Sequence, residues 1–259
     1  MNLRGLQYDI AWEDRAANVA AARRLLRSAP AAPGSLIVIP EMGLTGFSMN
    51  VDRVADTAAR ESETALALLA RDEGSWVVGG CVTRAEDGRG RNEALVIAPD
   101  GAVAGRYAKM HPFSFTGEEK HYARGDEPLV LPCGPFQLAP FVCYDLRFPE
   151  IFRSAARRGA TLFVVIACWL AGRHAHWRPL LQARAIENQA WVVGVNRCGC
   201  DPKFDYPGGS VVFAPDGRVV AELGPDEGVL QGDLDPAIVT NVRATFPVLQ
   251  DLRPAWTRA

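Results

Sequence analysis

Two short phrases are spelled twice in this chain, and no other feature limits its possible folds as strongly. Trp76-Val77-Val78-Gly79 returns as Trp191-Val192-Val193-Gly194, and Ala98-Pro99-Asp100-Gly101 returns as Ala214-Pro215-Asp216-Gly217, at almost the same offset. Two echoes in register indicate a doubled architecture. Around them, apolar runs of strand length alternate with helical patterns. In the first half, residues 3–10, 36–39 and 76–82 read as strands and residues 14–28 and 61–72 as helices, with two further strands around the Pro99-Asp100-Gly101 turn. The second half repeats the order. Residues 138–142, 161–167 and 191–195 read as strands, residues 149–158 and 179–188 as helices, and residues 211–223 as a hairpin around Pro215-Asp216-Gly217.

Helices that cover the outer faces of two sheets, whose inner faces pack on each other, make an α/β fold of four layers, an αββα sandwich. One doubly wound sheet with a β-hairpin appendage fits the alternation nearly as well. No linker is visible, and residues 1–259 are read as one domain.

Composition narrows the functional classes. A formal net charge of -2 gives no electrostatic reason to expect nucleic acid as a partner. No apolar stretch approaches bilayer length, so no membrane partner is expected, and the first residues do not read as a signal peptide. Six cysteines scattered through strand-like segments of a chain this long point to reduced thiols and a cytoplasmic location.

Three strand ends carry chemistry, and in α/β sheets ligands collect beyond the carboxyl ends of strands. Residues 36–40 deliver Glu41, residues 141–142 deliver Cys143, and residues 163–167 deliver Cys168 and Trp169. A carboxylate directly after an apolar strand is partly desolvated, which suits a general base. Cys143 stands at a strand-to-helix turn, which exposes a nucleophile and aims the following N–H groups at an oxyanion. Lys109, ending the extended segment 103–108, can supply the positive charge that a thiol nucleophile needs. Taken alone, a strand-end glutamate is usually a solvated loop residue, and a cysteine beside valine is usually core.

Together these residues resemble a known set. Pro40-Glu41-Met42, Tyr107-Ala108-Lys109-Met110-His111 and Val142-Cys143-Tyr144-Asp145-Leu146-Arg147-Phe148-Pro149 look like the Glu, Lys and Cys motifs of the nitrilase superfamily of carbon-nitrogen hydrolases, in the right order and separated by 68 and 34 residues. His176-Trp177, the run from Ala183 to Gln189 and Gly194-Val195-Asn196-Arg197 extend the likeness over nearly the whole chain. The resemblance implies the αββα sandwich, a thiol mechanism without a cofactor, and a homodimer. By position it makes Glu41 the proton carrier, Lys109 the oxyanion contact and Cys143 the thioester-forming nucleophile. The family's second glutamate falls on Glu118, with Glu119 as the fallback.

Within the superfamily, the segments from Glu41 to Met49, Lys109 to Gly125 and Cys143 to Pro149 look most like bacterial omega-amidases. That branch hydrolyses the terminal amide of 2-oxo dicarboxylate monoamides such as 2-oxoglutaramate. The substrate is then a small anionic amide, and Arg147 becomes the candidate clamp for its carboxylate. An exposed arginine opening the next helix is the plain alternative. Tyr144 would offer its backbone N–H, while Trp169 and Phe47 would wall the pocket, although aromatics beside strand ends are commonly core. Two positions depart from the branch pattern: Gly43 replaces a bulkier aromatic, and Cys168-Trp169-Leu170 stands where Asn-Trp-Pro is common. Cys168 reads as an inert small apolar residue or as a second thiol near the site.

The same residues bear on other functional classes. His174-x-His176 and Cys198-x-Cys200 lack the spacing of a structural zinc site, so no metal is expected. His111 and His121 raise a papain-like Cys-His pair, but no matching motif surrounds Cys143. A catalytically silent sandwich that only binds a partner is the reading from a different class, and three reactive side chains at strand ends speak against it. The segment 245–259, with Trp256, is a candidate subunit contact, and equally a segment that folds back on its own subunit.

Overall fold

The computed structural model describes residues 1–253; Trp256 of the suggested contact segment lies outside them. The chain starts with β1 (Asn2–Gln7), α1 (Arg15–Ser28), β2 (Leu36–Val38), a one-turn α2 (Val51–Val54), α3 (Glu61–Glu73), β3 (Trp76–Arg84), β4 (Gly90–Ile97) and β5 (Val103–Ala108). After a one-turn α4 (Glu118–His121) come β6 (Leu131–Cys133), β7 (Phe136–Val142), α5 (Pro149–Arg157), β8 (Leu162–Ala167), α6 (His174–Asn188) and β9 (Trp191–Asn196). A small hairpin, β10 (Cys198–Cys200) and β11 (Asp205–Pro207), precedes β12 (Val211–Phe213), β13 (Val219–Glu222), β14 (Gly228–Asp233) and α7 (Pro236–Thr245).

Two six-stranded sheets result, in the orders β14-β1-β2-β3-β4-β5 and β13-β12-β9-β8-β7-β6. In each, three consecutive parallel strands (β1-β2-β3 and β7-β8-β9) lead into an antiparallel pair, β4-β5 in one sheet and β12-β13 in the other. The repeated phrases mark equivalent places in these halves: Trp-Val-Val-Gly in the third parallel strand, Ala-Pro-Asp-Gly in the hairpin turn. The expected αββα sandwich is the observed fold, and the single doubly wound sheet is excluded by the separate strand orders.

Strand periodicity explains the layers. Side chains alternate faces along a strand. Leu36 and Val38 of β2, Val78 of β3, and Ala94 and Val96 of β4 turn inward and pack with residues of the second sheet, including Phe141 and Val164. Ile37, Val77, Leu95 and Ile97 turn outward, under Leu25 and Leu26 of α1 and Leu66 and Leu69 of α3. On the far side, Phe152 of α5 and Trp177 and Leu181 of α6 cover the second sheet. Burying each such side chain stabilises by roughly 1.5–3 kcal/mol, so the sheets are rigid supports for the loops at their ends.

Local signals set most boundaries. Asp14 caps α1 by accepting the Ala17 N–H at 3.0 Å, and Gly74 closes α3 in the left-handed region. Pro149 opens α5 at a position that needs no N–H donor. One expectation is corrected: α6 starts at His174, with Pro179 inside it, rather than at Pro179. Proline that near the start removes one backbone bond, which the packing of Trp177 and Leu181 offsets. Among the described residues no helix is long and apolar enough to cross a membrane.

Candidate active site

The site forms where the loops after β2, β5, β7 and β8 meet. After β2, the Ile39 N–H still bonds the Val78 carbonyl at 2.8 Å, and Pro40 then ends the ladder. The next residues wind into a tight turn in which Met42 has φ 44°. The turn lies directly on β3. A Cβ at Gly80 would meet the Met42 nitrogen at 2.3 Å and the Pro40 oxygen at 2.6 Å, so only glycine lets β3 pass under Glu41. Gly80→Ala is expected to lower stability by about 1–3 kcal/mol and to reduce turnover by displacing Glu41. Thermal melts with an activity assay check this; an unchanged melt and rate would show that the turn has slack. The absence of an aromatic at Gly43 also has a cause, since a Cβ there would meet Ile39 at 2.5 Å and the Tyr8 hydroxyl at 3.0 Å. Tyr8 itself donates to the Gly43 carbonyl at 2.7 Å.

Glu41 is fully buried and each of its oxygens is occupied. Oε1 accepts from Lys109 Nζ at 2.8 Å and from Asn92 Nδ2 at 2.7 Å, and Oε2 accepts the backbone N–H of Cys168 at 2.8 Å. Glu118, also buried, faces the same two donors: Lys109 Nζ at 2.8 Å and Asn92 Nδ2 at 2.9 Å, with the Phe113 N–H at 2.5 Å. Asn92 and Lys109 lie on neighbouring strand ends, tied by the Lys109 N–H to the Asn92 carbonyl at 2.8 Å. Two carboxylates are thus bridged by one ammonium and one carboxamide. Glu118, not Glu119, occupies this position.

The second sheet brings the thiol. Cys143 follows β7 with φ 48°, a left-handed conformation that costs a non-glycine residue on the order of 1–3 kcal/mol. Asp145 holds the turn that imposes it. Its buried carboxylate accepts the Val142 N–H at 3.1 Å, the Tyr107 hydroxyl at 2.8 Å and the His111 N–H at 3.0 Å. His111 also bonds Asp145 through Nδ1 at 2.9 Å and stacks on Phe148, so it braces the turn instead of pairing with Cys143.

Burial governs the protonation of these groups. It pushes the Cys143 thiol well above its usual range, and the Glu41 carboxylate, through charge and a side-chain hydrogen bond, pushes it further, so the resting form is the neutral thiol. Burial alone would lower Lys109, but the negative charges of Glu118 and Glu41 outweigh it and keep the ammonium charged far into alkali. Glu118 is pushed up by burial, against the pull of Lys109.

Above the thiol is a narrow cavity lined by Phe113, Cys143, Tyr144, Arg147, Trp169 and Leu170, together with Cys168 and Arg173; its free space is about 20 Å³. Glu41, Lys109 and Glu118 lie behind this lining. Arg147 extends over the Trp169 ring, 4.8 Å from its centre, and meets His176 Nδ1 at 3.3 Å. It pairs with no carboxylate among the described residues. Phe47 sits under Lys109, with Nζ 5.4 Å from the ring centre, and lines a neighbouring cavity instead of the one at Cys143. Cys168 joins the site through its N–H and its thiol, which donates to the Glu41 carbonyl at 3.2 Å. Among the described residues no three His, Cys, Asp or Glu side chains are grouped to hold a metal. Asn92, Asp145, Phe113 and Arg173 join the site without a motif of their own in the sequence. The single polar pair Asn92-Glu93 opening the apolar run Ala94-Leu95-Val96-Ile97 was the available sign of the first.

The chain is similar over nearly its whole length to known proteins. The carbon-nitrogen hydrolase family profile matches residues 3–244. A 2-oxoglutaramate amidase of Bacillus subtilis strain 168 is 31% identical over 249 residues, covering 96% of each chain. The omega-amidase YafV of Yersinia enterocolitica is 36% identical over 254 residues, covering 95% of this chain and 94% of that one. Among solved structures, a CN-hydrolase superfamily protein of Xanthomonas campestris with an arsenic adduct in its active site superposes with a TM-score of 0.90 at 31% identity, covering 98% of this chain and 97% of that one. The E41Q mutant of the amidase from Nesterenkonia sp. AN1, with the acetamide moiety of fluoroacetamide added covalently at its active-site cysteine, superposes with a TM-score of 0.85 at 28% identity, covering 99% and 95%. By profile, sequence and architecture alike, the chain belongs to the carbon-nitrogen hydrolase family, within the nitrilase superfamily.

Proposed function

We propose that the protein is an omega-amidase: it hydrolyses the terminal amide of small 2-oxo dicarboxylate monoamides to acid and ammonia through a thioester on Cys143. The observation that carries this reading is the convergence, from two sheets, of a strained cysteine turn with a buried carboxylate and a buried ammonium. The relatives named as 2-oxoglutaramate amidase and omega-amidase support the choice of substrate.

In this mechanism Cys143 Sγ attacks the amide carbon while Glu41 takes the thiol proton. Because the resting thiol is neutral, transfer to Glu41 must accompany the attack. Lys109 Nζ and the Tyr144 N–H stabilise the negative oxygen, each such donor lowering the barrier by about 3 kcal/mol. Glu41 then passes the proton to the departing ammonia, leaving the acyl group on sulfur. Water, deprotonated by Glu41, releases the acid. Glu118 and Asn92 transfer no proton; they fix Lys109 and Glu41 against each other.

Arg147 takes the distal carboxylate. Its side chain lines the cavity, pairs with no carboxylate among the described residues, and lies over the Trp169 ring. Arg147→Ala is expected to reduce kcat/KM for 2-oxoglutaramate by about tenfold or more, with a smaller effect on neutral aliphatic amides. Equal losses on both would remove Arg147 from recognition.

Ammonia release from 2-oxoglutaramate, simple aliphatic amides, carbamoyl amino acids and nitriles tests the whole reading. Preference for the first supports it; turnover of another class with 2-oxoglutaramate untouched overturns the substrate. The same reading takes residues 1–259 as one catalytic domain, active in the cytoplasm as a homodimer without cofactor or nucleic acid. Light scattering of the purified protein tests the dimer.

A further inference from the structure

The wall of the cavity at Cys143 has a second side. Phe113, Leu170 and Arg173 line that cavity and also an outer hollow of about 300 Å³, which is completed by Phe115, Lys203 and Phe204. An aromatic ladder links the two spaces. Tyr144, next to the nucleophile, lies 4.7 Å from Phe113 between ring centres, and Phe113 stacks on Phe115 at 5.7 Å with 28° between the planes. Phe115, the outermost rung, is 68% exposed. One exposed phenylalanine needs no explanation, but Phe115 ends a run of ring contacts that begins beside Cys143, at Tyr144.

The charges around it are incomplete in the same way. Arg173 lies over the Phe115 ring, 5.4 Å from its centre, and bonds the Gly172 carbonyl at 3.1 Å. Neither it nor Lys203 pairs with a carboxylate among the described residues. Asp201, close in sequence to Lys203, is already spent on the hairpin: it accepts the Lys203 and Phe204 N–H groups at 2.7 and 2.8 Å and the Tyr206 hydroxyl at 2.5 Å. Asp205 is the one carboxylate on the lining, and it is exposed. Two cations over an aromatic floor fit an anion attached to a flat or apolar body.

We propose that this hollow is an outer acyl subsite for elongated anionic monoamides, in which a flat spacer separates the reacting amide from a carboxylate. The spacer lies against Phe113 and Phe115, and the carboxylate is gripped by Arg173 with Lys203 beside it. This rests on the amidase reading and extends it: Arg147 serves short substrates whose carboxylate stays in the inner cavity, and Arg173 serves long ones.

The test measures ammonia release by the full-length protein from 2-oxoglutaramate, from para-(carbamoylmethyl)benzoate and from the methyl ester of the latter. Arg173→Ala should lower kcat/KM for the aryl monoacid about tenfold more than for 2-oxoglutaramate, chiefly through KM, and should erase the preference for the acid over its ester. Phe115→Ala should weaken acid and ester alike. Both residues are exposed, so thermal melts should match the parent. Hydrolysis of 2-oxoglutaramate without the aryl monoacid, or an equal loss on both in Arg173→Ala, would overturn the outer subsite and leave the amidase reading standing. Hydrolysis of neither compound would overturn both.

Discussion

Cys143→Ala is expected to lower ammonia release by at least about ten-thousandfold, because the variant keeps the cavity and the oxyanion donors but has nothing to form the acyl bond. The fold should survive, since the change removes only the sulfur from a turn held by Asp145, and the thermal melt should stay close to the parent's. Residual turnover above background in a preparation free of parent enzyme would remove Cys143 from the chemistry. The protonation state offers a check on the intact protein. A free thiol reacts faster as pH rises through about 8.5, where it ionises. Burial and then Glu41 hold the Cys143 thiol well above that range, so its alkylation by a neutral electrophile should show no such rise between about pH 7 and pH 9. A sigmoidal increase centred there would mean that the thiolate is readily formed and that Glu41 is not needed to take the proton.

Lys109→Met carries the second largest effect, on two observables. Turnover should fall by about a hundredfold to a thousandfold from the loss of an oxyanion donor. Stability should fall by about 3–5 kcal/mol as well, because the change leaves Glu41 and Glu118 facing each other in the interior with no cation between them. The pH range follows from the sign of the shift. A lysine whose folded value is raised contributes stability that is fully present below its unfolded value, about 10.4, and is lost as pH rises through the higher folded value. The gap in melting temperature between parent and variant should therefore persist through neutral pH and narrow only in strong alkali. The double variant Lys109→Met with Glu118→Gln should regain part of the stability and none of the turnover. A Lys109→Met protein that melts and turns over like the parent would refute the bridging role.

The parts of this molecule legible in its sequence were those that depend on nearby residues. Glu41 and Cys143 were visible because an apolar strand directly precedes each, and the doubled plan because identical turns need identical residues. What escaped depends on partners remote in the chain. Nothing near Gly228–Asp233 announces that it will pair with Asn2–Gln7, since the reason lies at the other end of the polypeptide. Asn92 looks like an ordinary polar residue in a strand until Glu41 and Glu118 come within reach of its two N–H groups. Asp145 has no nearby partner that marks its role, since its tie to Tyr107 crosses between sheets. Helix α6 was cut short because proline is a strong local punctuation mark, overruled here by packing that only the assembled sheet supplies.

The second oxygen of Glu41, which leaves the first sheet, rests on the peptide hydrogen of Cys168, which leaves the second. Symmetric as the two layers are, they contribute different groups: the first sheet brings Glu41 and Lys109, the second Cys143 and the Cys168 N–H that holds Glu41. On the proposed mechanism neither layer carries a working centre by itself, and a shift in how they are stacked would reach Glu41 directly. A substitution that changes the packing of either half is therefore expected to act through the seam between the sheets, where the Cys168 N–H meets Glu41.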